Sequence, residues 1–315
     1  MQSISRRAFV ISAATAGAAF GLDGPLEFVD RAFGQQATQD VVKFKVGDIE
    51  VIQLFDGTWQ KAHDPGFVRN ASLDDVKGAL KAGGLTDAYV PVPFTVTAVR
   101  IGGRLVLFDS GTGAQVAPTA GDIAKKNLWQ AAGIDPAKVD TIIMTHLHLD
   151  HYFGLLAKDT NAPTFPNAQI HIPATEYAYW TSPTPKGAPA DRIRAVFPGW
   201  KNIRQFAGDV EVVPGIRAVN SNGHTPGHTS YHVASGNQQI MVLGDVTNVR
   251  ALNMTNPAWH LVFDVDPALA ETNRYKLLDR VVADKVVATG YHWGAPGAGT
   301  VVKDGKGYAL VPVKA

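Results

Sequence analysis

Short runs of alternating apolar and polar residues, broken by glycine-containing turns, dominate the first third of the chain. Residues 42–45 and 50–55 read as strands on either side of Val46-Gly47-Asp48. Residues 94–101 and 104–108 flank Gly102-Gly103, a two-residue hairpin signal. The apolar run 105–108 then enters the polar turn Asp109-Ser110-Gly111-Thr112-Gly113, where Asp109 either organises the turn or supports a nearby site. Helical spacing is expected over 73–82 and over 119–132, the latter closed by Gly133. An apolar strand over 139–144 follows Asp135-Pro136. The second part repeats this character, with strands expected at 210–213, 230–233, 239–243 and 286–288, and a helix over 269–283 that turns Leu277 and Val281 inward. Two β-rich halves with flanking helices predict an α+β fold, an αββα sandwich, although the pattern also admits other layered arrangements.

Residues 163–206 break the rhythm. Tyr177, Tyr179, Trp180, Phe197 and Trp200 lie among Pro183, Pro185, Pro189 and Pro198. The segment is expected to be an insertion over the mouth of a site, with Trp180 in the pocket wall; the alternative is that these rings anchor a core or a loop.

The chemistry concentrates where the strand 139–144 stops. Thr145-His146-Leu147-His148-Leu149-Asp150-His151 supplies three imidazoles and a carboxylate as H-x-H-x-D-H. Neighbouring histidines are costly to bury unless something coordinates them, and a mixed imidazole and carboxylate set suits borderline cations such as zinc. An i, i+2 pair on extended backbone turns His146 and His148 to one centre, while a turn brings Asp150 and His151 to an adjacent one. Downstream lie Gly223-His224-Thr225-Pro226-Gly227-His228, Gly244-Asp245 and Gly290-Tyr291-His292-Trp293. Spacing alone leaves His224 and His228 as equal candidates for one ligand position. Thr145, Ser221, Thr225 and Thr247 are candidates to orient the imidazoles. Trp293 is a candidate pocket residue, with edge packing as the other reading. A hydrolytic dinuclear metal site follows as the expectation.

Composition narrows the setting. The chain has 315 residues, no cysteine and a formal net charge of +1, so neither disulfides nor thiolate ligands occur. Near-neutral charge without a Lys/Arg block argues against a nucleic-acid partner. Ser5-Arg6-Arg7 precedes a mildly apolar run ending near Phe20, which resembles a bacterial twin-arginine export signal. Residues 1–34 are read as that signal, cut before Gln35 or nearer Ala37, with the export machinery as a transient partner and the periplasm as the destination. Residues 35–315 are then the functional domain, acting on a small molecule, with a homodimer allowed.

The spaced set of Asp109, the His146 cluster, His224, Asp245 and His292 resembles the metallo-β-lactamase-fold hydrolase superfamily across most of the chain after residue 34. The resemblance implies that His146, His148 and His224 bind one metal and Asp150, His151 and His292 a second, with Asp245 bridging. It places the ligand at His224 and leaves His228 behind the ligands. It also implies two divalent ions, zinc first and manganese, cobalt or iron as alternatives, that activate a shared water as hydroxide. Asp150 and Asp245 would be the catalytic carboxylates, Asp150 also helping a proton to the leaving group. Within the superfamily, Thr-His-Leu-His-Leu-Asp-His, Gly-His-Thr-Pro-Gly-His-Thr-Ser, Leu-Gly-Asp and the ending Asp304-Gly-Lys-Gly-Tyr-Ala-Leu-Val-Pro are similar to the methyl parathion hydrolase and lactonase-like branch. Organophosphate triesters, aryl esters and lactones are the implied substrates. Val246-Thr247-Asn248 departs from typical acyl-homoserine lactonases, which carry a tyrosine nearby. The alternatives are a β-lactam hydrolase, an iron-dependent oxidoreductase on the same fold, and a noncatalytic metal-binding envelope protein.

Overall fold

The run that ends at Ile101 turns at Gly102 and Gly103, both at positive φ (54° and 78°), and returns with Arg104 opposite Ile101. Only glycine adopts that pair of conformations without strain, so the hairpin follows directly from the sequence. The structure, a computed structural model, describes residues 39–314; the twin-arginine segment and both expected cleavage positions lie outside the described residues. Among the described residues no helix is long and apolar enough to cross a membrane.

Two seven-stranded sheets carry the fold. The first runs in chain order through β1 (Val41–Val46), β2 (Ile49–Lys61), β3 (Val90–Ile101), β4 (Arg104–Phe108), β5 (Thr141–Ile143), β6 (Gln169–Pro173) and β7 (Ile203–Phe206). The second comprises β8 (Glu211–Val213), β9 (Ile216–Asn220), β10 (Thr229–Ser235), β11 (Gln238–Val242), β12 (Val287–Thr289), β13 (Ala298–Asp304) and β14 (Gly307–Pro312), again in order. Alternation decides how they stack. Val51 faces the second sheet with Val99, Phe108 and Ile143, meeting Tyr231, Val233 and Ile240. Its neighbour Ile52 points the opposite way, into the core that Leu80 and Ile193 of the covering helices also enter. The far face of the second sheet packs Met241, Leu243 and Ala288 against Leu277, Leu278 and Val281 of the helix Pro267–Asp284. These four layers are the expected αββα sandwich.

Two expectations are corrected. The helix expected over 119–132 is broken into the single turns Asp122–Lys125 and Leu128–Ala131, because Asn127 between them takes a left-handed φ of 52°. Residues 163–206 are not purely inserted: β6 and β7 lie within them and extend the first sheet by parallel pairing. The helices Ala174–Thr181 and Ala188–Val196 between those strands form the covering part. The C-terminal hairpin β13–β14, turning at Gly305 with φ 58°, was not expected although Asp304-Gly305 is a turn signal.

Candidate metal centre

The seven polar side chains singled out by spacing come together at strand ends. His146 and His148 follow β5, and the short helix Leu149–Tyr152 turns Asp150 and His151 into the same space. His224 lies between β9 and β10, Asp245 follows β11 and His292 follows β12. Their donor atoms form three overlapping groups, each within 4.8 Å: His146, His148 and His224; His146, His151 and Asp245; Asp150, His151 and His292.

Tautomers follow from the outer partners. His146 Nδ1 lies 3.0 Å from Thr145 Oγ1, whose own proton goes to Asp109 Oδ2 at 2.8 Å. His224 Nδ1 donates to Asp264 Oδ1 at 2.8 Å. Those bonds leave Nε2 of both rings as bare lone pairs. Yet His146 Nε2 is 3.0 Å and His224 Nε2 2.9 Å from His148 Nδ1. Three ring nitrogens at mutual contact have at most one proton to share among them, which is the donor arrangement a cation satisfies.

The adjacent centre is built from opposite needs. His151 Nδ1 donates to Asp109 Oδ2 at 2.8 Å, and His292 Nδ1 donates to the Pro93 carbonyl at 2.8 Å. Asp245 Oδ2 is 2.9 Å from His292 Nε2 and 3.4 Å from His224 Nε2, while its Oδ1 is 3.3 Å from His151 Nε2. Asp150 Oδ2 lies 3.5 Å from both His151 Nε2 and His292 Nε2. His151 Nε2 and Asp245 Oδ1 are buried without a hydrogen-bond partner, an arrangement that costs free energy unless an ion fills it. Burial opposes charge on His151, but Asp150, Asp245 and Asp109 outweigh it and hold the imidazole well above its ordinary pKa. Burial and neighbouring histidines push His146 and His148 well below theirs. Burial likewise works against ionised Asp245, yet His292 and His151 hold its pKa far below the usual range. The site therefore demands positive charge on one side and offers neutral imidazoles on the other, and a pair of divalent ions meets both.

Residues 91–290 match the metallo-beta-lactamase superfamily. The chain belongs to that superfamily. It is 28% identical over 150 residues to the N-acyl homoserine lactonase of a Bacillus species, covering 48% of this chain and 55% of that one. A second relative, the N-acyl homoserine lactonase AttM of Azorhizobium caulinodans, is 36% identical over 111 residues, 33% of this chain and 39% of its own. The chain thus matches 55% and 39% of the lengths of these two curated relatives. Among solved structures, the superfamily hydrolase AbOPH aligns with a TM-score of 0.78 at 26% identity, over 89% of this chain and 99% of its own. The dizinc quorum-quenching lactonase AidC shares the fold with a TM-score of 0.79 at 24% identity, over 88% of this chain and 99% of its own.

The superfamily scaffold opens here into a cavity of about 430 Å³ whose floor is His148, Asp150, His224, Asp245 and His292. Its walls are Trp59, Phe94, Val116, Trp180 and Phe263, with Lys186 and Asn248 as polar exceptions. Trp180 thus lines the cavity, its ring 5.7 Å from and edge-on to that of His148. Trp293 does not. It is 1% exposed among the second-sheet core residues, and its indole donates to Thr247 Oγ1 at 2.7 Å. His228 lies under Asp245: its Nε2 accepts from the Asp245 amide at 3.0 Å while Nδ1 faces Ser221, and burial with His224 nearby pushes its pKa down to about 3. It supports the Asp245 main chain from behind.

Three supporting residues escaped the sequence. Asp264 receives His224 on one oxygen and Arg274 Nη2 on the other at 3.2 Å. Arg274 is buried and also donates to the carbonyls of Val246, Pro257 and Trp259, tying the Asp245 loop to the His224 support. Glu176 is fully buried and bonds Leu147, Thr225 and Gly227. Each is a lone charge far from the motifs in sequence, so no local spacing marks it.

Proposed function

We propose that the protein is a dinuclear metal-dependent hydrolase of neutral lactones, aryl esters or phosphotriesters. The convergence of seven donors, with the outer nitrogen of four of the five imidazoles already hydrogen-bonded, carries the reading. All seven are nitrogen or carboxylate donors, a set that favours zinc and accepts manganese, cobalt or iron. When bound, the ions would supply an activated water nucleophile and polarise the substrate oxygen. The chain's own residues do the rest. His146, His148 and His224 would hold one ion, Asp150, His151 and His292 the other, and Asp245 would join them. Asp150 borders the cavity, and its backbone carbonyl is fixed by the Tyr291 hydroxyl at 2.6 Å, so its carboxylate is placed to pass a proton to the leaving group. The apolar walls favour an uncharged substrate over a charged one. The helical cover with Trp180, Lys186 and Pro189 encloses the reacting group and limits the approach of bulk water.

The twin-arginine pattern at Arg6-Arg7 supports export to the periplasm of a bacterium, a route that carries proteins already folded around their metal. The reaction class is tested by kcat/KM of metal-quantified protein on matched phosphotriester, aryl-ester, lactone and β-lactam substrates. Metal-dependent preference for one of the first three is the expected result. Preference for the β-lactam, or no turnover with both ions bound, would overturn the assignment.

A further inference from the structure

A buried carboxylate ties together the two loops that supply one histidine trio. Glu176, in the helix Ala174–Thr181, accepts on Oε1 from the Leu147 amide at 2.9 Å and the Trp180 indole at 2.7 Å. Its Oε2 accepts from Thr225 Oγ1 at 2.7 Å and the Gly227 amide at 3.0 Å. Leu147 stands between His146 and His148, Thr225 follows His224, and Trp180 is a cavity wall. One side chain thus reaches two loops distant in sequence and an indole one turn further along its own helix. All four partners are donors, so the acid is held as an acceptor-only carboxylate. Among the described residues it has no ion pair with Lys, Arg or His. The approach is tight as well: a Cβ at Gly227 would lie 2.2 Å from the Glu176 backbone nitrogen, so glycine is required there.

None of these bonds belongs to a sheet ladder, and burial raises the Glu176 pKa above its ordinary value against four donors that favour the charge. A carboxylate kept at that cost, with every acceptor position turned to the ligand loops or the wall, does more than fill space.

We propose that Glu176 is a positioning residue that holds the His146–His148 and His224–His228 loops in register and locks Trp180 to them, so that metal affinity and cavity shape depend on one side chain. This rests on the metallohydrolase reading above. Glu176→Gln keeps the shape but turns one oxygen into an NH2 group, which meets two donors with a third. Thr225→Val removes a single donor from the ligand-loop side, and Trp180→Phe removes the indole donor together with part of the cavity wall.

The test is competition of full-length parent and variants against a chromophoric chelator for zinc, with KM and kcat on the preferred substrate and intrinsic tryptophan fluorescence alongside. Glu176→Gln is expected to weaken zinc binding about tenfold or more, as loss of a ligand-orienting partner commonly does. Thr225→Val should weaken it by a smaller factor. Trp180→Phe should raise KM and keep parental zinc affinity, whereas Glu176→Gln should change both, because only the carboxylate joins the wall to the ligand loops. Should Glu176→Gln fail to fold, Thr225→Val decides alone. Parental zinc affinity in every folded variant on the ligand-loop side would overturn the clamp while leaving the hydrolase reading intact. A parent protein that takes up neither zinc nor manganese, cobalt or iron would instead remove the hydrolase reading, and the clamp with it.

Discussion

Replacing Asp264 by asparagine isolates the support behind one ligand. The carboxylate accepts from His224 Nδ1 at 2.8 Å and from Arg274 Nη2 at 3.2 Å, and it is 3% exposed. An asparagine cannot accept on both sides. With its NH2 towards Arg274, two donors collide; with its NH2 towards His224, the ring must carry its proton on Nε2, the nitrogen that faces His148. Loss of a charge-assisted hydrogen bond costs about 1.5–3 kcal/mol. Removing the partner of a fully orphaned buried charge costs about 3–5 kcal/mol. Arg274 keeps three carbonyl acceptors, at Val246, Pro257 and Trp259, so the first range applies. The metal side adds a separate loss: a misoriented histidine weakens metal binding about 10–100-fold, roughly 1.4–2.8 kcal/mol. The two are separated by urea unfolding in chelator, which reads the apo cost, and by zinc competition, which reads the ligand cost. An Asp264→Asn protein with parental zinc affinity and parental apo stability would refute the tautomer argument.

Two further perturbations address residues outside the candidate ligand set. Asp279 is bonded to Lys303 and to the Tyr308 hydroxyl, which hold its pKa below the ordinary 3.8. The stability this lends is present above pH 3.8 and is lost as pH falls through the lower folded value. The gap between parent and Asp279→Asn in urea midpoints should therefore close on acidification below that pH, with small amplitude because the pair is largely exposed; a gap that widens there contradicts it. Trp293→Phe should cost about 1–2 kcal/mol through its buried hydrogen bond to Thr247 and leave the ratio of kcat/KM between bulky and small substrates unchanged. A changed ratio at unchanged stability would put Trp293 back in the pocket wall.

The clustering of the candidate donors was legible because their residue types stand in short, spaced motifs: His146, His148, Asp150 and His151 lie within six residues of one another. The sandwich was legible for a similar reason, since alternation at Val51 and Ile52 already assigns opposite faces. Glu176, Asp264 and Arg274 were hidden because their partners lie far away in sequence and a lone charged residue reads as a solvated surface. Trp293 was misplaced because adjacency to His292 says nothing about which way a side chain points. The helix expected across Asn127 failed on one backbone angle, which composition does not record. Strands β6 and β7 were masked by the prolines and rings that surround them.

The central claim is that these side chains hold a pair of ions joined through Asp245. Elemental analysis of protein dialysed against zinc, compared between parent, Asp245→Ala and His228→Ala, tests it most directly. The account predicts two ions per parent chain, loss of both or of tight binding in Asp245→Ala, and a smaller loss in His228→Ala, which removes only the acceptor of the Asp245 amide. A parent chain that saturates at one ion, or an Asp245→Ala chain that keeps both, would contradict it.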